Sequence, residues 1–149
     1  MGLIDDLPKG SRVALDSNVL IYFIEEHPQL GAVVDPAFQM IDDGECEAVV
    51  SVVSLIEVLV APLRAGQGAL ADEYRVLLAE TGGVTLVPVT KAVAEQAASI
   101  RAGHNLRLPD AVIAATALAE GCTHLIANDA KFAQVAGLQT LVVSDYLDG

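Results

Sequence analysis

The sequence has no tryptophan and only three phenylalanines and three tyrosines in 149 residues. Its core must therefore be aliphatic and rich in alanine. Cysteine is nearly absent: Cys46 and Cys122 lie far apart and match no zinc or redox spacing, which excludes a disulfide scaffold and a cysteine-ligated metal. They read as reduced thiols of a cytoplasmic protein. Bases are scarce, 8 Lys and Arg against 20 Asp and Glu, for a net charge of −12. Non-specific nucleic-acid affinity comes mainly from neutralising phosphates. A chain this acidic can handle nucleic acid only locally, selectively or with the help of a metal. No apolar run approaches 18 residues, so no membrane-spanning helix is expected. Residues Met1 to Asp6 carry acids where a signal peptide needs bases, and Asp6 stands where myristoylation needs Ser or Thr. There is no GxGxxG, no GxxxxGK[ST] and no GxSxG, which argues against dinucleotide, P-loop and serine-hydrolase sites.

Hydrophobic residues make up 53% of the chain, enough for one core without disulfide or metal support. The length suits one domain, 1–149, with no internal repeat or linker. Apolar runs at 12–15, 48–53, 84–89, 123–127 and 138–143 read as strands. Between them, 19–26, 30–43, 54–64, 67–80, a segment through Val93, Ala97 and Ile100, and 109–120 read as helices. A further short helix is expected from about Asn128. Pro36 is expected to split the second helix. Strands alternating with helices predict an α/β fold. The expected form is a single-domain α/β/α sandwich with a parallel sheet of four to five strands and helices on both faces.

Ligands of open parallel sheets bind at the carboxyl ends of the strands. Asp16, Glu57, Asp110 and Asp129 all fall there in this reading. Each has an ordinary structural role open to it. Asp16 and Asp129 can cap helices. Ser54 to Glu57 has capping-box spacing. Asp110 sits in a first turn favoured by the helix dipole. Together they say more. Asp110 is in phase with Ile113, Ala114, Ala117 and Leu118, the core-facing stripe. Four carboxylates converging in a dry pocket need a cation, and all-oxygen donors suit Mg²⁺ or Mn²⁺. Such a site positions water against a phosphodiester.

The segments Leu15–Asn18, Ser51–Val58, Leu108–Ala115 and Leu125–Phe132 resemble, in order and spacing, the motifs of PIN domains, and the small format is similar to that of VapC toxins. The resemblance covers nearly the whole chain. It implies a Mg²⁺- or Mn²⁺-dependent endoribonuclease, the toxin of a toxin–antitoxin pair. Asp16, Glu57, Asp110 and Asp129 would be its acidic catalytic and metal residues, and Ser17 and Asn18 would orient the first acid and its water. It also implies an RNA substrate, a homodimer and a cognate antitoxin that masks the site. Ala127 departs from the pattern, since the family commonly has Thr or Ser there. Arg12, Arg64, Arg107 and Lys131 lie near the motifs and are candidate RNA phosphate contacts, or else neutralise neighbouring charges. Two other readings stand beside this one. The first is a catalytically weak or inactive PIN-like binding module acting through a protein partner. The second is a phosphotransfer or phosphatase domain with Asp16 as nucleophile, against which Asn18 occupies the place of the second acid of a DxD motif. Stretches 33–41 and 67–78 are candidate dimer surfaces.

Overall fold

Each central strand feeds two cores. Val13 and Leu15 of β1 (Arg12–Leu15) pack on one side of the sheet, and Ala14 on the other. Ala48 and Val50 of β2 (Glu47–Ser51) face the first side and Val49 the second. Side chains alternate along a strand, so burial of both faces requires an unbroken apolar run. The computed structural model describes residues 1–147; the last two positions of the expected domain lie outside the described residues.

With β3 (Val84–Val87), β4 (His124–Ala127) and β5 (Gln139–Val142), these strands form one all-parallel sheet in the order β3-β2-β1-β4-β5. Helices α1 (Ser17–Ile24), α2 (Gly31–Asp42) and α4 (Gly68–Glu80) supply the first core. Helices α5 (Lys91–Gly103) and α6 (Leu108–Ala119) supply the second. Helix α3 (Val52–Arg64) touches α1, α4 and α6. Short 3₁₀ turns cover 3–6, 130–134 and 143–146. The expected parallel sandwich is what forms, with five strands.

Helix α6 is buried from Asp110 to Ala117. Its alanines 111, 114, 115 and 117 are fully enclosed, which lets the helix approach sheet and neighbours closely without aromatic filling. Tyr74, also fully enclosed, donates its hydroxyl to Glu25 and ties α4 to the end of α1. Gly83 has φ +85, and a Cβ there would come within 2.8 Å of the Ile41 carbonyl oxygen, so this turn into β3 needs glycine.

Two expectations about helices are corrected. Helix α2 runs through Pro36 without a break. Pro36 and Ala32, whose carbonyl Pro36 has no N–H to bond, are both exposed, which leaves that end of the turn open to solvent. The run 48–53 ends as a strand at Ser51, whose side chain accepts from the Val53 N–H, so α3 starts at Val52, two residues before the helix start expected at Ser54. β-Branched residues are tolerated in a first turn once the cap is in place. The 3₁₀ turn at 130–134 stands where the short helix is expected. Among the described residues no helix is long and apolar enough to cross a membrane.

Candidate active site

The chain leaves β1 for one side of the sheet toward β2 and β3, and later returns to the other side for β4 and β5. The switch falls between β1 and β4, and its crevice opens at the carboxyl ends of both strands. Asp16 is the first residue beyond β1, and its N–H donates to the Ile126 carbonyl of β4 at 3.0 Å. Its position caps α1, yet its side chain makes no capping hydrogen bond. Asp16 is 5% exposed. Burial pushes its carboxyl up to about 7, against a hydrogen bond from the Ser17 backbone that draws it down. The nearby charges of Asp110 and Glu57 raise it further, and that of Arg107 lowers it.

Helix α3 brings Glu57. Because the helix starts at Val52, Ser54 is not a cap and the capping box does not form. Ser54 is instead fully enclosed at one end of a chain of polar contacts that runs through Ser17 to Glu57. Ser17 Oγ donates to Glu57 Oε1 at 2.7 Å and shares a 2.9 Å hydrogen bond with Ser54 Oγ. Ser54 is the residue that sequence reasoning misassigned. The usable signal was a small polar residue one turn before an acid in an otherwise apolar stretch.

Helix α6 brings Asp110, which is 3% exposed in its first turn. Arg107, just before the helix, grips it with both arms: Nε to Oδ2 at 3.1 Å and Nη2 to Oδ1 at 3.2 Å. The hydrogen bonds to Asp110 push the guanidinium's pKa up, so it stays charged.

Several of the expected contributors stand elsewhere. Arg12 lies at the amino end of β1, about 13 Å of strand away from Asp16 at a rise of ~3.3 Å per residue. Its guanidinium donates to the Glu120 carbonyl at 2.7 Å and pairs with Glu47 and Glu120, so it is no phosphate contact of this crevice. Asn18 is exposed, because consecutive helical residues point about 100° apart and Ser17 faces inward. Asp129 caps its 3₁₀ turn by accepting from the Lys131 N–H at 2.9 Å, and it is not among the charges acting on Asp16. Asn128, beside it, braces the β4 exit: its amide donates to the Tyr22 hydroxyl at 3.2 Å and accepts from the Ser144 N–H at 2.9 Å. Arg64 is exposed in the last turn of α3, which Pro62 does not break. It shares the Glu57 face two turns on, ~10 Å along the axis. Lys131 is exposed too. Among the described residues neither base is ion-paired.

A family model for the PIN domain matches residues 13–138. The chain belongs to the PIN domain family. Solved structures with the same fold include VapBC2 from Rickettsia felis bound to a promoter DNA fragment (16% identity, TM-score 0.69, covering 88% of this chain and 98% of that one). Another is a toxin–antitoxin complex from Klebsiella pneumoniae (23% identity, TM-score 0.66, covering 88% and 97%). A third is Mycobacterium tuberculosis VapC20, a sarcin–ricin-loop-cleaving toxin (17% identity, TM-score 0.68, covering 85% and 96%). No curated protein matches the chain in sequence. At these identities the neighbours establish the PIN fold for this chain.

Among the described residues of this PIN domain, no three His, Cys, Asp or Glu side chains form a ready metal cage. The donor set nonetheless fits a hard divalent cation. Mg²⁺ keeps several waters and takes only one or two carboxylates. Asp16 is a dehydrated carboxylate with no capping role, and Glu57 and Asp110 act on it electrostatically.

Proposed function

We propose that this PIN domain is a divalent-metal-dependent endoribonuclease, the toxin of a toxin–antitoxin pair acting in the cytoplasm. The observation that carries the reading is Asp16: a carboxylate buried at the topological switch point, unused as a cap, and pressed toward neutrality beside two further acids. A group held this way gains from a cation, and such strained ionisable groups mark functional sites. Asp16, Glu57 and Asp110 would hold Mg²⁺ or Mn²⁺, with Asp129 at the rim. A bound divalent ion activates water and polarises the phosphate. Ser17, backed by Ser54, keeps the Glu57 carboxylate oriented toward Asp16's side of the crevice. Asn18, exposed at the mouth, is free to meet substrate. Arg107, Arg64 and Lys131 offer phosphate contacts on a chain that otherwise repels RNA.

Incubation of the purified chain with structured RNA tests this reading. Cleavage is expected with Mg²⁺ or Mn²⁺ and is expected to vanish with EDTA. No cleavage of any RNA with either ion, by a folded protein, would favour the binding-module reading instead.

Two partners follow from the same reading. The apolar side chains of 33–41 and 67–78 face mostly inward, with Val34, Phe38, Ile41, Leu77 and Leu78 in the core. Val76 is the one large apolar side chain of these stretches that is exposed, whereas on α3 Ile56, Val60 and Leu63, all exposed, follow one another at helical spacing. We assign the homodimer contact to that stripe. Sedimentation is expected to show a dimer at micromolar concentration that Ile56→Glu converts to monomer; an unchanged mass in the variant would reject the assignment. A groove of about 590 Å³ runs between α1, α2 and α4, with Phe23, Ile24 and Leu77 inside and Glu26, Asp35 and Glu73 at its rim. Its chemistry suits an apolar, basic antitoxin segment.

A further inference from the structure

The ion pair between Arg107 and Asp110 joins two side chains of opposite mobility. The Asp110 side chain is 4% exposed and fixed in the first turn of a buried helix, whereas that of Arg107 is 68% exposed. The guanidinium can leave; the carboxylate cannot. The bidentate grip occupies both oxygens of Asp110. A divalent cation that used Asp110 would need one of those oxygens and would repel the guanidinium at the same time. Arg107 also feels Glu57 and Asp16, so its charge serves the whole acidic cluster and not one neighbour alone. Arg107 stands outside the helix, at the extended residue that precedes it, and makes no capping bond from its side chain. Its stem can therefore swing without unwinding α6.

We propose that Arg107 is a resident counter-ion that the divalent cation displaces from Asp110, and that the released guanidinium then takes a phosphate of the bound RNA. The proposal rests on the metal-nuclease reading above and adds an exchange to it. One positive group neutralises the buried acid before the metal arrives. The same group, set free, supplies charge for substrate on a chain of net −12. Arginine suits both states, because its planar fork pairs equally well with carboxylate and phosphate and stays charged throughout. Metal binding and RNA binding thereby become coupled through one side chain.

The test is calorimetric titration of Mn²⁺ into the full chain at pH 8, comparing wild type with Arg107→Gln and Arg107→Lys. With its competitor gone, Arg107→Gln is expected to bind Mn²⁺ about fivefold or more tightly, and Arg107→Lys to fall between, on the scale of a single partly exposed ion pair. An RNA oligonucleotide titrated in Ca²⁺ should respond with the opposite sign, binding Arg107→Gln several-fold more weakly than wild type. Equal or weaker Mn²⁺ affinity in Arg107→Gln, with wild type binding the ion, would overturn the exchange and leave the nuclease reading in place. Tighter Mn²⁺ binding with unchanged RNA affinity would overturn the transfer to phosphate. No Mn²⁺ binding by any of the three proteins would overturn both readings together.

Discussion

Asp16→Asn is expected to lower metal-dependent RNA cleavage at least ~10²–10³-fold, the range seen when one preorganised charge-stabilising group is removed from an active site. The substitution keeps shape and most hydrogen bonding, so the loss would be chemical. The protein should fold normally, because Asp16 supplies no capping bond that Asn would fail to replace. Circular dichroism and cleavage of the same RNA at matched Mg²⁺ concentration separate the two effects. Activity within about threefold of wild type would remove Asp16 from the chemistry.

The same substitution should stabilise the protein at alkaline pH. Burial raises the Asp16 carboxyl from 3.8 to about 7 in the folded state. Between those values the folded protein keeps a proton that the unfolded chain has lost. The favourable contribution is therefore complete below about pH 3.8 and is lost as pH rises through about 7. A shift of this size corresponds to on the order of 2–4 kcal/mol. Urea unfolding at pH 8 should show Asp16→Asn more stable than wild type by that order, and at pH 4 nearly equal to it. Millimolar Mg²⁺ or Mn²⁺ should restore wild type at pH 8 and leave the variant unchanged, since a ligand stabilises only the state that binds it. A difference between the proteins that does not vary with pH would show that Asp16 is not desolvated as described.

The layers of the fold were legible because the central strands are buried on both faces. Val13-Ala14-Leu15 and Ala48-Val49-Val50 divide their side chains between two cores, and only a sheet covered on both sides asks for that. Helix boundaries were harder. The β-branched run 48–53 does not distinguish a strand from the first turn of a helix, and Ser51 rather than Ser54 decides it. The site was legible in part. Asp110 follows another helix and is picked out by its phase with the core-facing stripe of α6, whereas strand-end position picks out Asp16. Glu57 fits the same pattern, but spacing alone also suggests a cap that does not form. Nearness of Arg12 to Asp16 in sequence ignores strand direction: the four residues of β1 carry it to the amino end of the strand, away from the crevice. Asp129 keeps the capping role that its local sequence allowed. The pairing of Arg107 with Asp110, three residues apart, matches the ordinary reach of side chains across a helix's first turn.

The central claim is that Asp16, Glu57 and Asp110 serve one divalent cation. Anomalous scattering from crystals grown in millimolar Mn²⁺ tests it most directly. A single manganese peak is expected at the β1–β4 crevice, bound by Asp16 and reached directly or through one water by Glu57 and Asp110. Manganese bound only elsewhere on the molecule, with the three carboxylates free of it, would contradict the claim.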